Sequence, residues 1–287
     1  MFATVDYNGD GSDQPDWRAA TTSIELLKKF SQDDQPFFLA TGLVRPHYPN
    51  VAPKQYFDQY PIQKINLPYV PRDDWKDIPK AAISNSNSTS CGIDQFQDNQ
   101  KRMWAGYLAT VTFVDEQIGR ILQALKELEL DQNTAIIFTS DHGYLLGEHH
   151  FWQKGNLREE VTRVPLIIKV PDKKPGVSTS IVELVDIFPT ACEIVDLQSP
   201  STVQGTSLMT ILKKPTKQVK KSALSFVKKG TSMRTEKWAY MKYKDGSEEL
   251  YDMQEDPKQF NNLASAGSKL IVLKKLRKQF QIRNKRD

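Results

Sequence analysis

The feature that most constrains the fold is one long amphipathic segment that runs into a short apolar one. Across residues 101–129, Trp104, Tyr107, Leu108, Val111, Val114, Ile118, Ile121, Leu122, Leu125 and Leu128 recur at three- and four-residue steps as a single stripe. At about 1.5 Å per residue this helix is roughly 40 Å long, enough to cross a large domain. Asp131-Gln132-Asn133 then leads into TAIIFTS, and PFFLATG (36–42) and VPLIIKV (164–170) have the same buried-strand pattern. Helical patterns over residues 16–30, with Asp16 as N-cap, and over 180–197 alternate with these runs. Apolar strands alternating with helices predict an α/β sheet covered on both faces.

At 287 residues the chain can bury a sizeable core. No apolar run approaches the roughly 18–20 residues of a membrane span. The start, MFATVDYNGDGSDQPDW, shows no secretory signal, which leaves the compartment unassigned. After about residue 212 the texture changes. Residues 1–212 form the α/β portion, and 213–287 a small α+β subdomain with an antiparallel hairpin turning at Asp245-Gly246 and a helix over roughly 266–281. This tail carries 20 Lys+Arg against 8 Asp+Glu, without the aromatic interleaving of a nucleic-acid motif, so no nucleic-acid partner is expected. Cys91 and Cys192 give neither a disulfide framework nor a metal-ligand spacing.

Chemistry concentrates elsewhere. Of four histidines, three lie in SDHGYLLGEHHFWQKGN (140–156), and the fourth, His47, sits in the proline-rich GLVRPHYPNVAP. Asp141 and His142 follow a strand end, where ligands bind in parallel α/β sheets, and they suit a divalent cation or an acid–base pair; a carboxylate capping the next turn is the plainer reading. Lys154, beside Trp152, is either a surface lysine or an anion clamp. His149 and His150 are adjacent, so one of them is a packing residue. Glu160 and Arg163, three apart, read as a structural ion pair. DYNGDGSDQPD mimics a calcium loop, but its twelfth position is Trp17 and Pro15 interrupts it, so it reads as a turn before the helix.

FTSDHGYLLGEHHFWQKGN followed by REEVTRVPLIIKVP closely resembles the sulfatases of the alkaline-phosphatase superfamily, in particular the iduronate-2-sulfatase-like branch. PFFLATGLVRPHYPNVAP, WAGYLATVTFVDEQIGRILQAL, IVELVDIFPTACEIVDL and VQGTSL resemble the same family in the same order, so the likeness covers nearly the whole chain. The resemblance implies a partial alkaline-phosphatase-like sheet sandwiched by helices. It also implies Asp141 and His142 as ligands of a calcium ion, and His47 and Lys154 as catalytic residues contacting the sulfate ester of a sulfated saccharide or small ester. His149 and Trp152 are secondary candidates for substrate contact.

One part of the family pattern has no counterpart. Sulfatases carry a Cys-x-Pro-Ser-Arg-type motif whose cysteine becomes formylglycine, whereas Cys91 precedes Gly-Ile-Asp and Cys192 precedes Glu-Ile-Val. The family's first aspartate ligand pair is missing as well. The chain therefore matches the C-terminal part of a sulfatase, and three expectations follow: weak calcium binding, negligible turnover by the isolated chain, and a complementing N-terminal half. A degenerate paralogue is the competing explanation. Two other readings remain: a phosphatase or phosphodiesterase of the same superfamily, and a non-catalytic module binding sulfated glycans through its basic C-terminal face. Relatives of this family are usually exported.

Overall fold

The computed structural model describes residues 3–284. The chain forms two compact units, Met1–Tyr69 with Ser88–Thr134, and Val70–Asn87 with Ala135–Asp287. The change of texture at residue 212 falls inside the second.

The first unit is a helical layer on a short parallel strand pair. Strand β1 (Thr4–Tyr7) pairs in parallel with β2 (Asn50–Pro53) through Thr4↔Asn50 and Asp6↔Ala52. Between them lies helix α1 (Pro15–Phe30), and after β2 come the single turns α2 (Lys54–Phe57) and α3 (Ser88–Cys91), then the long α4 (Gln97–Glu127). Gln14, not Asp16, is the N-cap of α1, because Pro15 occupies the first helical position. The buried Asp16 carboxylate instead accepts the backbone N–H of Val44 and, at 3.3 Å, of Arg45.

The face α4 buries is rotated from the expected stripe. Of the stripe, Val114 and Leu125 are buried, whereas Val111 and Leu122 are exposed; Ala105, Ala109, Thr110, Phe113 and Gln117, outside it, are buried too. Small side chains let the helix lie close on the strands: Gly106 sits where a Cβ would meet Thr4 at 2.5 Å. Ala52, Tyr56, Ala109 and Phe113 form the core, flanked by Trp17, over whose ring the Arg120 guanidinium lies at 4.6 Å. PFFLATG departs from expectation: residues 36–42 form no strand, and Phe38 is 86% exposed. Having no strand neighbour among the described residues, the run has no ladder to join.

In the second unit β3 (Ile136–Thr139) pairs antiparallel with β6 (Leu166–Lys169), Ile136 opposite Lys169. Both strands were expected buried, yet Phe138 and Ile167 are exposed at 36% and 63%. Between them β4 (Leu145–Leu146) pairs with β5 (Trp152–Gln153), and the turn α5 (Glu159–Thr162) follows. The helical pattern over 180–197 resolves into the shorter α6 (Ile187–Ile194), followed by α7 (Met209–Lys213).

The C-terminal region is a four-stranded antiparallel sheet in the order β10-β9-β8-β7: β7 (Ala223–Val227), β8 (Gly230–Arg234), β9 (Trp238–Tyr243) and β10 (Glu248–Asp252). The β9–β10 turn passes through Asp245 and Gly246, whose φ of +91° glycine adopts without strain. Helix α8 (Leu270–Asn284) lays Leu273, Leu276 and Phe280 on Met233, Tyr240 and Leu250. On the other face Met241, Tyr243 and Tyr251 pack with Leu157 and Ala82. At about 1.5–3 kcal/mol per buried side chain, these two clusters are the main stabilising contribution of the region.

Candidate active site

Strand β3 ends where the Thr139 hydroxyl donates to the Pro165 carbonyl at 2.9 Å. The next four residues turn sharply against α5. The Gly143 N–H donates to the Val161 carbonyl at 2.7 Å, and a Cβ on Gly143 would lie 2.0 Å from the Glu160 carbonyl oxygen, so glycine is required by the close approach. Inside the turn the His142 N–H donates to Asp141 Oδ1 at 2.9 Å, and the Ser140 hydroxyl to the His142 carbonyl at 2.9 Å. The plainer reading of Asp141 as a capping carboxylate is thus met by one of its oxygens.

The tautomer of His142 follows from its partner. Nδ1 lies 2.8 Å from the Gly143 carbonyl, which only accepts, so in the neutral ring Nδ1 carries the proton and Nε2 the lone pair. That nitrogen faces Asp141 Oδ2 at 3.6 Å, with the Asp141 side chain 85% exposed. A ring nitrogen fixed by a backbone carbonyl, next to an open carboxylate oxygen, has the chemistry of two neighbouring cation ligands. No third His, Cys, Asp or Glu joins them among the described residues. Two such donors would fill only part of a calcium shell, which takes 6–8 ligands, mostly oxygens.

Lys154 is carried by the hairpin that follows. Glu148 Oε2 accepts the Leu146 N–H at 2.7 Å inside the turn, and burial pushes that carboxyl's pKa up. His149, His150 and Gln153 all have φ between 58° and 66°, a left-handed conformation costing about 1–3 kcal/mol each for non-glycine residues. Packing holds it. His149 Nδ1 lies 2.9 Å from Asp74 Oδ2, both side chains being 1% exposed, and Trp75 Nε1 donates to the His149 carbonyl at 2.7 Å. The Trp75 ring stacks on Phe151 at 5.4 Å, and the Trp152 N–H donates to the Ser86 carbonyl at 2.7 Å. His149 and Trp152, proposed from sequence as substrate contacts, are thus both buried, at 1% and 0%. His150 Nε2 meets the Pro71 carbonyl at 3.1 Å.

Beyond Lys154 the chain is anchored by Arg158. Asn156 Oδ1 accepts the backbone N–H groups of Leu157 and Arg158 at 2.7 and 3.0 Å. The fully buried Arg158 guanidinium pairs with Glu249 at 2.8 Å and lies 4.8 Å over the Tyr251 ring. Burial opposes its charge, but the Glu249 carboxylate together with Tyr251 and Tyr243 outweighs that and raises its pKa; burial and the same carboxylate raise those of Tyr243 and Tyr251. No sequence spacing signals Asp74–His149 or Arg158–Glu249, whose partners are 75 and 91 residues apart. The expected Glu160–Arg163 ion pair is absent: Arg163 has left the helix with extended backbone and is exposed, and Glu160 Oε2 is buried without a partner among the described residues.

Asp141, His142 and Lys154 line one open cleft of about 2,040 Å³. Arg163, Lys173 and Lys174 also line it, as do Glu159, Glu183 and Glu236, and the basic side chains outnumber the acidic ones, which suits an anion.

His47 belongs to the first unit, in a loop held by several groups. Arg45 donates to the carbonyls of Val51 and His47 and to Gln14, at 3.1–3.2 Å, and Asn50 Nδ2 to the Pro46 carbonyl at 3.2 Å. The exposed His47 ring has Nδ1 2.6 Å from the Tyr48 carbonyl, so Nδ1 donates and Nε2 is the nitrogen left open. Arg45, Asn50 and Asp16 shape this loop, and the sequence reading assigned none of them a role there.

Comparison with known proteins decides the family. The family model described as Sulfatase matches residues 4–197, and the model for the C-terminal region of N-sulphoglucosamine sulphohydrolase matches residues 147–286. The chain belongs to the sulfatase family. Among sulfatase relatives, a sulfatase of Formosa agariphila is 34% identical over 270 residues, covering 91% of this chain and 53% of that protein. Human iduronate 2-sulfatase is 34% identical over 223 residues, covering 65% and 40%. The chain thus spans about half the length of the curated sulfatases it matches. The solved structure of BT4656 in complex with D-glucosamine-2-N,6-O-disulfate superposes with a TM-score of 0.78 at 23% identity, covering 93% of this chain and 69% of that one, which shows the shared alkaline-phosphatase-like α/β fold. A phosphonate monoester hydrolase of Silicibacter pomeroyi has a TM-score of 0.85 at 25% identity, with coverages of 98% and 61%.

Proposed function

We propose that this chain carries the cation-binding and leaving-group residues of a sulfuric ester hydrolase of the iduronate-2-sulfatase-like branch, acting on a sulfated sugar. The observation that carries the reading is the shared cleft: the open Asp141–His142 pair and the Lys154 ammonium line one electropositive hollow. Human iduronate 2-sulfatase, at 34% identity, supports the branch.

Calcium is the cation proposed for Asp141 Oδ2 and His142 Nε2, and when bound it would supply positive charge to a sulfate oxygen. The chain's own residues do the rest. Gly143 lets the turn press on α5, which fixes the direction of His142; the Gly143 carbonyl holds the proton on Nδ1 and keeps Nε2 available. The strained hairpin, clamped by Asp74, Trp75 and Arg158, holds Lys154 at the cleft, where its ammonium pairs with sulfate oxygens and offsets negative charge as the ester bond breaks. His47, in the first unit, is proposed on the chemistry of its own loop as a proton donor of the complete enzyme through Nε2.

Neither cysteine lies in a Cys-x-Pro-Ser-Arg-type sequence, so the nucleophile and the remaining cation ligands are proposed to come from a complementing N-terminal half. The experiment is fusion of this chain to the upstream portion of the Formosa agariphila sulfatase. The isolated chain is expected to leave sulfate esters intact. The fusion is expected to hydrolyse them, and Lys154→Ala to lower kcat/KM about 10²–10³-fold, the loss typical of one charge-stabilising donor. Turnover by the isolated chain would overturn the need for a second half. Preference of the fusion for phosphate or phosphonate esters would overturn the sulfatase reading in favour of the superfamily's other chemistry.

A further inference from the structure

Beside the large cleft, with which it shares Arg283, the second unit carries a concentration of positive charge. Helix α8, residues Leu270–Asn284, contains Lys274, Lys275, Arg277, Lys278 and Arg283 and no acidic residue. Two of these are neutralised: Arg277 pairs with Glu248, and Arg283 with Glu183 at 2.8 Å. Lys275 and Lys278, three apart on the face opposite Leu273, Leu276 and Phe280, make no ion pair among the described residues. Lys221, in the segment leading into β7, is exposed and likewise unpaired among them.

These three lysines share a shallow pocket of about 360 Å³ with Gln279, Ile282 and Arg283, and no carboxylate lines it. Arg283 adds an Nε that is buried without a hydrogen-bond partner among the described residues. The pocket wall is almost wholly apolar, so the lysine stems form it and their ammonium groups stand outside it; an anion bridging them relieves the repulsion of three neighbouring positive residues without a lining carboxylate. The lysine stems and the exposed Ile282 give the pocket an apolar floor, which suits the C–H face of a sugar ring between sulfates. No aromatic ring lines it, so the stacking platform of a single-stranded nucleic-acid site is missing.

We propose that Lys221, Lys275 and Lys278 form a docking site for a sulfated polysaccharide, separate from the Asp141–His142–Lys154 cleft. The proposal rests on the sulfated-sugar reading above for its choice of polyanion, and it deepens that reading: the substrate is a polymer held at two places. The site needs no nucleophile, so it is testable on the chain as it stands.

The test is calorimetric titration of the full chain with size-defined heparin oligosaccharides at several salt concentrations. Binding that weakens as salt rises is expected. Lys221→Gln/Lys275→Gln/Lys278→Gln should weaken it about tenfold or more, as expected for losing three favourable charge contacts, with thermal unfolding unchanged. Lys213→Gln/Lys214→Gln/Lys217→Gln, which removes equal charge elsewhere, should have little effect. Equal weakening by the two triple variants would overturn the site in favour of diffuse net charge. Equally tight binding of single-stranded DNA or of phosphatidylserine vesicles through the same lysines would overturn its assignment to glycans. Loss of binding with Lys154→Ala would place the polymer in the cleft alone. A fusion enzyme specific for phosphate esters, with heparin binding intact, would sink the catalytic reading and leave the docking site standing.

Discussion

Replacing Glu249 with alanine tests the anchor behind Lys154. Its side chain is 0% exposed; Oε2 accepts from Arg158 at 2.8 Å and from the Tyr251 hydroxyl, and Oε1 accepts from Tyr243. Glu249→Ala strands a guanidinium that cannot shed its proton, a loss of about 3–5 kcal/mol, with about 1 kcal/mol more for each tyrosine hydroxyl left without an acceptor. For a unit of this size, 3–5 kcal/mol corresponds to a fall of about 6–20 °C in the unfolding midpoint. Arg158→Met strands the carboxylate instead, which can neutralise itself by taking up a proton, so its cost should be smaller and should shrink further at low pH. Arg158→Met/Glu249→Ala removes both charges and should recover at least about 2 kcal/mol relative to the sum of the single changes. Scanning calorimetry of the four proteins reads all of this. Single losses below about 1 kcal/mol, or a strictly additive double variant, would refute the argument that this pair anchors the strand carrying Lys154.

Two further outcomes follow from the same structure. Gly143→Ala forces a methyl group to within 2.0 Å of the Glu160 carbonyl, and it should destabilise the second unit by about 1–3 kcal/mol; an unchanged urea midpoint would show that the turn and α5 are not in close contact. Burial acts to raise the pKa of Glu248, but Arg277, Tyr240 and Lys242 together lower it to about 2. A carboxylate depressed in the folded state contributes stability that is complete above its ordinary value and is lost as pH falls from about 4.5 towards 2. Arg277→Gln should flatten that part of the acid unfolding curve, and an identical curve would show the pairing to be without effect.

The strand-end turn, the His47 loop, the long helix and the C-terminal hairpin were legible because each is local. A strand giving way to Asp-His-Gly, or Trp238–Tyr243 turning through Asp245-Gly246, is written in consecutive residues. What the sequence hid is set by distant partners. The buried face of α4 follows from the fit of Ala105, Gly106 and Ala109 against β1 and β2, whereas periodicity alone favoured the larger side chains. PFFLATG has the composition of a strand, but a strand exists only with a neighbour to bond. His149 was a secondary candidate for substrate contact; its role as a clamp depends on Asp74, which nothing in the sequence pairs with it.

The central claim is that Asp141, His142 and Lys154 receive one sulfate-like anion. Its most direct test is a crystal of the protein soaked with calcium and selenate, with anomalous diffraction used to locate the selenium. The account predicts a selenium site in the cleft with an oxygen within hydrogen-bonding distance of Lys154 Nζ, and its loss in Asp141→Asn. Selenium bound elsewhere, or a site in the cleft indifferent to both Lys154 and Asp141, would contradict it.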